Sequence, residues 1–345
     1  MAVIGVINAG GWGTALGVLL AHHGHAVRLW CRRAELADEI NTRRQNTAYL
    51  PGVAIPTAVR ATVRVEEAVE AAELVLLVPI SRAVRETARL IAPYLRPGTP
   101  VLHGAKGLEQ PSLLRLSEVV SEELGPRYRT RVAVLSGPTH AEEVARLLPT
   151  AAVVACHDPD GALAIQELLH GPTFRVYTSP DVVGVELCAA LKNVVALAIG
   201  AADGLGYGDN ARAALITRAL VEIGRLVQAA GGDARTVAGL AGLGDVIATC
   251  TSRHSRNRRA GELLGQGQPV DQVVASTRQV IEGIPATAAA IQLAARHGVE
   301  LPVCAQVDRV LHQGASAREA LAQLMGREAT AELRGEVEGR RRGRR

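Results

Sequence analysis

Lysine is nearly absent from this chain. Of its 38 Lys and Arg residues, only Lys106 and Lys192 are lysines, so arginine occupies almost every position where a generic positive charge suffices. Lysine is the more compact cation, and its pKa falls toward neutrality when it is buried. The two lysines are therefore candidates for proton chemistry or for close contacts to a charged ligand, unless they persist by chance.

Aromatic residues, paired cysteines and long apolar runs are also scarce. Aromatics make up 2% of the chain, which argues against a nucleic-acid interface built on stacking. The five cysteines are scattered and form no C-x-x-C pair, so we expect a reducing, cytoplasmic compartment and no metal site. No apolar run reaches the roughly 18 residues of a membrane span. We also expect no signal peptide, because no basic region or small-residue cleavage site follows Met1. We expect no integral membrane segment.

Basic charge is concentrated at the C-terminus. Five arginines lie in residues 340–345, and without them the formal net charge of +4 falls to −1. A near-neutral body does not favour nucleic-acid binding, although a basic tail can bind polyanions. We expect residues 336–345 to be a disordered, solvated tail.

The first 180 residues alternate short β-rich runs with helical stretches, whereas the rest is helical. The alternation predicts a doubly wound, mostly parallel α/β sheet, and the length of 345 residues allows two cores. We predict an α/β domain at 1–180 and an all-helical domain at 181–335. Strands are predicted at Ala2–Ile7, Ala26–Trp30, Leu74–Val78, Pro100–Leu102, Val132–Leu135 and Ala151–Ala155, and helices at Thr14–His22, Ser112–Leu124, 183–200, 209–230, 256–264, 283–297 and 316–325.

The segment VINAGGWGTAL, residues 6–16, lies between the first predicted strand and helix, where a dinucleotide-binding turn carries G-x-G-x-x-G. Gly10 and Gly13 occupy the positions that allow pyrophosphate approach and helix–strand packing, but Asn8 replaces the first glycine. Asparagine tolerates left-handed backbone angles better than most residues, so we expect a positive φ at a cost of about 1 kcal/mol. The phosphate site at the helix start should remain intact.

Two arginines follow the second predicted strand. NAD-specific sites usually place an acidic residue there, whereas an arginine accommodates the 2′-phosphate of NADP. Arg32 and Arg33 therefore favour NADPH over NADH, unless they are ordinary loop charges.

Lys192 lies in a predicted helix that carries no other charge between Glu186 and Asp203. Apolar surroundings would lower its pKa and suit a general acid or base near neutral pH. Asn193 beside it could hold a hydroxyl or a carbonyl. The alternative is a lysine whose ammonium reaches water along the helix edge.

Four further segments are candidates for ligand contacts. Ser255 is a predicted helix N-cap followed by arginines, which suits a phosphate dianion, a solvated basic turn or a nucleic-acid backbone. Asp245 follows a glycine turn in the preceding segment. Lys106 and the segment SGPTHAEEVA (136–145) both follow predicted strands. Since open α/β sheets bind ligands at that edge, both lysines and the anion site can converge there.

These residues belong to ordered segments that resemble bacterial NAD(P)-dependent glycerol-3-phosphate dehydrogenase. The resemblance implies a Rossmann domain, an all-helical domain of the 6-phosphogluconate-dehydrogenase type, and a homodimer. It also implies hydride transfer between dihydroxyacetone phosphate and sn-glycerol 3-phosphate, for phospholipid synthesis. The segments are GGWGTAL, LPGV, AKGLE, SGPTHAEEVA, ALKNVVALAIG, NARAALITRAL, AGLGDVIATCTS, SRNRRAGELLGQG and VIEGIPAT.

Roles carry over from the family only to matching positions. Lys192 would be the proton acceptor. The substrate would be held by Lys106, Gly137, Thr139, Asp245, Ser255, Arg256 and Asn257. The dinucleotide, NADPH or NADH, would be held by Gly11, Trp12, Arg32, Arg33, Lys106, Ala141, Arg256, Val280 and Glu282.

Three departures from the family pattern lie near the cofactor: Asn8, Gly11 where serine is frequent, and a segment VPISRAVRE (78–86) that is one residue longer than usual. Two other functions stay open. One is a related lysine-dependent hydroxyacid dehydrogenase, and the other is a dinucleotide-binding protein without catalysis.

Overall fold

A mostly parallel sheet of eight strands forms the first half of the protein. The computed structural model describes residues 1–252, 255–277, 280–328 and 332, so the predicted tail at 336–345 lies outside the described residues. The strand order is β3-β2-β1-β4-β5-β6-β7-β8, and only the β6–β7 pair is antiparallel. The bounds are β1 Val3–Ile7, β2 Ala26–Trp30, β3 Val59–Thr62, β4 Leu74–Leu77, β5 Val101–His103, β6 Val132–Ser136, β7 Thr150–Ala155 and β8 Phe174–Ser179.

Helices cover both faces of the sheet and make up the described chain after Ser179. Their bounds are α1 Gly11–His22, α2 Ala34–Asp38, α3 Val65–Val69, α4 Val84–Ile91, α5 Leu116–Leu124, α6 Ala141–Val144, α7 Pro159–Leu169, α8 Val182–Gly204, α9 Asp209–Ala229, α10 Asp245–Thr251, α11 Arg256–Gly265, α12 Val270–Ala275, α13 Gly283–His297, α14 Pro302–His312 and α15 Ala317–Met325. Short 3-10 or π turns lie at Glu39–Arg43, Ser81–Ala83, Ala92–Tyr94, Pro126–Tyr128, Ala234–Ala238 and Leu240–Gly244.

The α/β sheet and the following helices confirm the predicted fold class, with specific errors. The prediction missed β3 and β8, the two edge strands, because their outward positions are polar and only alternate residues are buried. It also missed α14. The helix predicted from Ser112 begins only at Leu116, because Arg115 has extended backbone angles and forms a capping box with Glu118.

Three apolar clusters hold these layers together. One cluster joins α1 and α7 to one face of the sheet, and a second joins α3, α4 and α5 to the other face. The third surrounds α8 and includes Val134 and Val153 of the sheet. Helix α8 is long and apolar enough to cross a membrane, but 89% of its most apolar stretch is buried inside the protein. It is the core helix around which the other helices pack.

Asn8 takes the left-handed conformation that the sequence predicts. Its φ is 97°, and its side-chain amide donates to the Val78 carbonyl at 3.3 Å. A Cβ at Gly13 would overlap the Asn8 carbonyl oxygen, whereas a Cβ at Gly10 would meet only the Asn8 amide, at 3.7 Å. Gly13 is therefore the packing glycine, and the turn at Gly10 stays open to a ligand.

Helices α8 and α11 touch through their backbones. At each of four glycines, a Cβ would overlap a carbonyl oxygen of the facing helix, so these positions exclude a side chain. The contact fixes the start of α11 against the middle of α8, where Lys192 and Asn193 lie. The glycines are Gly200 and Gly204 on α8 and Gly261 and Gly265 on α11.

We predict that Gly261→Ala lowers the free energy of unfolding by about 1–3 kcal/mol, because its methyl group would strike the Leu197 carbonyl oxygen. Gly224→Ala is the matched control, since a Cβ inside α9 would meet its nearest neighbour at 3.8 Å and alanine favours helix. Urea unfolding of both variants measures the difference. Equal stability of the two variants would contradict the backbone contact.

Candidate active site

The carboxylate of Asp245 lies between the two lysines. Lys106, which follows β5, donates from Nζ to Asp245 Oδ2 at 2.7 Å. Lys192, in the middle of α8, donates from Nζ to Asp245 Oδ1 and to Thr249 Oγ1 at 2.9 Å. Asp245 itself begins α10. Three separate segments thus bring two ammonium groups onto one carboxylate.

The side chains of Lys192 and Asp245 are buried, and this burial changes their pKa values. Burial, the largest effect, lowers the pKa of Lys192, and the Lys106 ammonium lowers it further; the Asp245 carboxylate opposes both, leaving a pKa of about 7. For Asp245, burial alone would raise the pKa, but the two ammonium groups outweigh it and keep that pKa below its usual range. Asp245 is therefore ionised, while Lys192 can exchange a proton near neutral pH.

The alternative for Lys192, an ammonium reaching water along the helix edge, is wrong. Its side chain is only 8% exposed. Thr249, four residues after Asp245 on the same helix, was not predicted as a site residue. Helical spacing from Asp245 would have placed it on the same face.

The loop after β6 lies beside Lys106. Lys106 Nζ donates to the Gly137 carbonyl at 3.3 Å, and Thr139 Oγ1 donates to the same oxygen at 3.1 Å. Gly137 has φ 129°, a conformation that suits glycine. The predicted convergence of Lys106, Gly137 and Thr139 is present in the structure.

The start of α11 joins the lysine cluster through asparagines. Ser255 caps this helix by accepting from the Arg258 N–H at 3.2 Å, as its sequence predicts. Asn257 donates to Asn193 Oδ1 at 2.9 Å and accepts from the Gly283 N–H at 2.9 Å. The helix start is therefore tied to the residue after Lys192 and to the start of α13.

Arg256 and Glu282 lie on the outer side of this helix start. The Arg256 guanidinium donates to the Val280 carbonyl at 3.1 Å, and its side chain is exposed. Glu282 immediately precedes α13 and accepts from Ser81 Oγ at 2.8 Å. No local pattern pointed to Ser81, because its partner is 201 residues away.

The predicted dinucleotide turn has room for a phosphate. Gly10 caps α1 without any side-chain hydrogen bond to the first backbone N–H groups of that helix, which leaves them free for an anion. Trp12 lies against Gly104, two residues before Lys106, and a Cβ at Gly11 would stand 4.0 Å from the Ala141 side chain. The residues present therefore fit a dinucleotide at this sheet edge.

Arg32 and Arg33 are exposed and follow β2 after one buried residue, Cys31, at the same edge of the sheet. The Arg33 guanidinium lies 5.9 Å from the centre of the Tyr49 ring. Across the residues that the structure describes, Arg32 takes part in no ion pair with an acidic side chain, and no acidic residue follows β2 directly. The region suits an anionic group better than a ribose held by a carboxylate.

Both halves of the chain match known protein families. Residues 3–162 match the N-terminal model of NAD-dependent glycerol-3-phosphate dehydrogenase, and residues 181–322 match its C-terminal model. A Moorella thermoacetica protein named NAD(P)+ glycerol-3-phosphate dehydrogenase is 52% identical, over 96% of this chain and 97% of its own length. A Desulfitobacterium hafniense protein of the same name is 51% identical, over 95% and 92%.

A solved structure supports the same relationship. The crystal structure of glycerol-3-phosphate dehydrogenase from Coxiella burnetii superposes with a TM-score of 0.88 at 41% identity, covering 94% of this chain and 99% of that one. The identity and the coverage are too high for a likeness of fold alone. The chain belongs to the NAD-dependent glycerol-3-phosphate dehydrogenase family.

Proposed function

We propose that this protein is an NAD(P)-dependent glycerol-3-phosphate dehydrogenase that reduces dihydroxyacetone phosphate to sn-glycerol 3-phosphate for phospholipid synthesis. The observation that carries the proposal is the Asp245 carboxylate shared by Lys106 and Lys192. This carboxylate lies where the loops after β5 and β6 meet the helices. Burial lowers the pKa of Lys192 beside it to about 7. The names of the relatives supply the substrate.

Lys192 is the proposed acid and base. A nicotinamide cofactor bound in the crevice would supply the hydride for C2 of dihydroxyacetone phosphate. The oxygen on C2 gains a proton from Lys192 Nζ, which the Thr249 hydroxyl and Asp245 hold in place. The Lys106 ammonium, which donates to Asp245, would stabilise the developing alkoxide. Asp245 stays ionised throughout, since it keeps the Lys106 ammonium when Lys192 is neutral.

The phosphate of the substrate is assigned to the start of α11. Backbone N–H groups at a helix start and a nearby arginine favour a dianion. Arg256 and Asn257 project from this first turn, and Ser255 caps it. The remaining proposed substrate contacts are Lys106, Gly137, Thr139 and Asp245.

The cofactor is assigned to the crevice between the sheet edge and the helices, with NADPH preferred over NADH because of Arg32 and Arg33. The proposed contacts are Gly11, Trp12, Arg32, Arg33, Lys106, Ala141, Arg256, Val280 and Glu282. We assign residues 1–180 to dinucleotide binding and residues 181–335 to substrate binding and catalysis.

We further propose a cytoplasmic homodimer. Leu243 and Ile247 lie four residues apart and are 37% and 46% exposed, and neighbouring exposed apolar side chains suit an interface. A monomer mass in light scattering would refute the dimer.

Initial rates of dihydroxyacetone phosphate reduction test the function directly. We expect turnover with both nicotinamides and a higher kcat/KM with NADPH. In the oxidative direction with NADP+, 3-hydroxyisobutyrate and 6-phosphogluconate serve as alternative substrates beside sn-glycerol 3-phosphate. Faster turnover of either one would replace the proposed substrate, and NADPH binding without any turnover would favour a non-catalytic protein.

We predict that Lys192→Ala lowers kcat by about 10²–10⁴-fold, the usual contribution of a general acid, while NADPH binding changes little.

In the wild type, kcat for reduction should fall as pH rises through about 7, the pKa of Lys192, because only the protonated amine can donate. The reverse oxidation should speed up over the same range. Near-normal kcat in Lys192→Ala would contradict the assignment.

We predict that Arg256→Ala raises KM for dihydroxyacetone phosphate by about tenfold or more, as expected for a lost charged contact. Arg259→Ala is the matched control on the same helix, since Arg259 pairs with Glu262 on the surface. Steady-state kinetics at saturating NADPH measures both variants. An unchanged KM in Arg256→Ala would remove Arg256 from the phosphate site.

A further inference from the structure

Ser81 connects the sheet to the helical part of the protein through Glu282. Ser81 begins the short turn after β4, at the sheet edge where ligands bind. Glu282 immediately precedes α13. The Ser81 hydroxyl donates to Glu282 Oε2 at 2.8 Å. This hydrogen bond therefore spans the crevice between the two halves of the chain.

The turn that follows Lys106 packs against this hydrogen bond. Gly107 has φ 144°, and a Cβ there would stand 3.0 Å from the Ser81 Cβ and 3.9 Å from Glu282 Oε2. The three segments that meet are the turn after β4, the turn after β5 and the start of α13. Ser81 belongs to the first of these segments, packs against Gly107 of the second and donates its hydroxyl to Glu282 at the third.

The Glu282 carboxylate needs such a donor. Burial raises the pKa of Glu282, and the Ser81 hydroxyl and the Arg256 charge both act against that rise. An ionised carboxylate only accepts hydrogen bonds and has acceptor sites on both oxygens. With Ser81 on Oε2, it can still accept from the hydroxyl or amide groups of a dinucleotide.

We infer that Ser81 is a positioning residue for the nicotinamide cofactor, acting through Glu282 rather than by its own contact with the ligand. The inference rests on the proposed function, in which Glu282 contacts the dinucleotide. Without the Ser81 hydroxyl, the carboxylate loses its side-chain donor at the crevice and keeps only the backbone N–H of residue 81. The affinity for the cofactor should fall, and the chemistry at Lys192 should not change.

The test is the dissociation constant for NADPH, measured by fluorescence titration without substrate. We expect Ser81→Ala to weaken binding by about five- to tenfold, the usual effect of one ordinary hydrogen bond. Ser81→Thr keeps a hydroxyl and should restore most of the affinity. Ser112→Ala is the matched control, because it removes a serine–glutamate bond of 2.6 Å to Glu109.

A double-variant cycle decides whether Ser81 acts through Glu282. We expect Ser81→Ala to cost almost nothing further in a Glu282→Gln background, because coupled residues are not additive. Unchanged affinity in Ser81→Ala, additive losses in the double variant, or equal losses in Ser81→Ala and Ser112→Ala would each overturn the inference. The titration needs no turnover, so a failure of the wild type to reduce dihydroxyacetone phosphate would refute the proposed function separately.

Discussion

The negative charge on Asp245 is shared by two ammonium groups in a region that excludes water, and the rest of the site depends on this sharing. A buried carboxylate requires a cation, and a buried lysine requires an anion. Because Lys106 already supplies one cation to Asp245, the second ammonium, on Lys192, is held less firmly than in an isolated ion pair. Burial lowers the pKa of Lys192 most and the Lys106 ammonium lowers it further, to about 7, so Lys192 can give up a proton near neutral pH.

The fold brings these three groups together from distant positions in the chain. Parallel strands place Lys106 and the Gly137 turn at the same edge of the sheet, and α8 carries Lys192 across that edge. The glycines shared by α8 and α11 allow a backbone contact, so the capped start of α11 lies beside Asn193 instead of one side-chain layer away. The candidate phosphate site and the proton donor thus rely on close packing between two helices.

The sequence predicts what depends on local chemistry. The buried strands, the Ser255 cap, the positive φ of Asn8 and the importance of both lysines follow from residue type and neighbours, and the structure agrees for the strands, the cap and φ. The edge strands β3 and β8 were missed because only half of each is apolar. Ser81 was missed because its partner lies 201 residues away, which spacing does not encode. Thr249 was missed although it lies one helical turn after Asp245, where spacing does place it on the same face.

The scarcity of lysine makes the pKa of Lys192 directly measurable. Lysine labelled with ¹³C at Cε gives two side-chain signals in this chain, and the Lys106→Arg variant identifies the one that belongs to Lys192. Titration of the wild-type protein by NMR then reports the protonation of Lys192 without substrate or cofactor. We predict a midpoint at about pH 7 for that signal. A Lys192 signal that stays in its protonated position until the pH approaches 10.5, the ordinary pKa of lysine, would contradict the role of Lys192 as a proton donor near neutral pH.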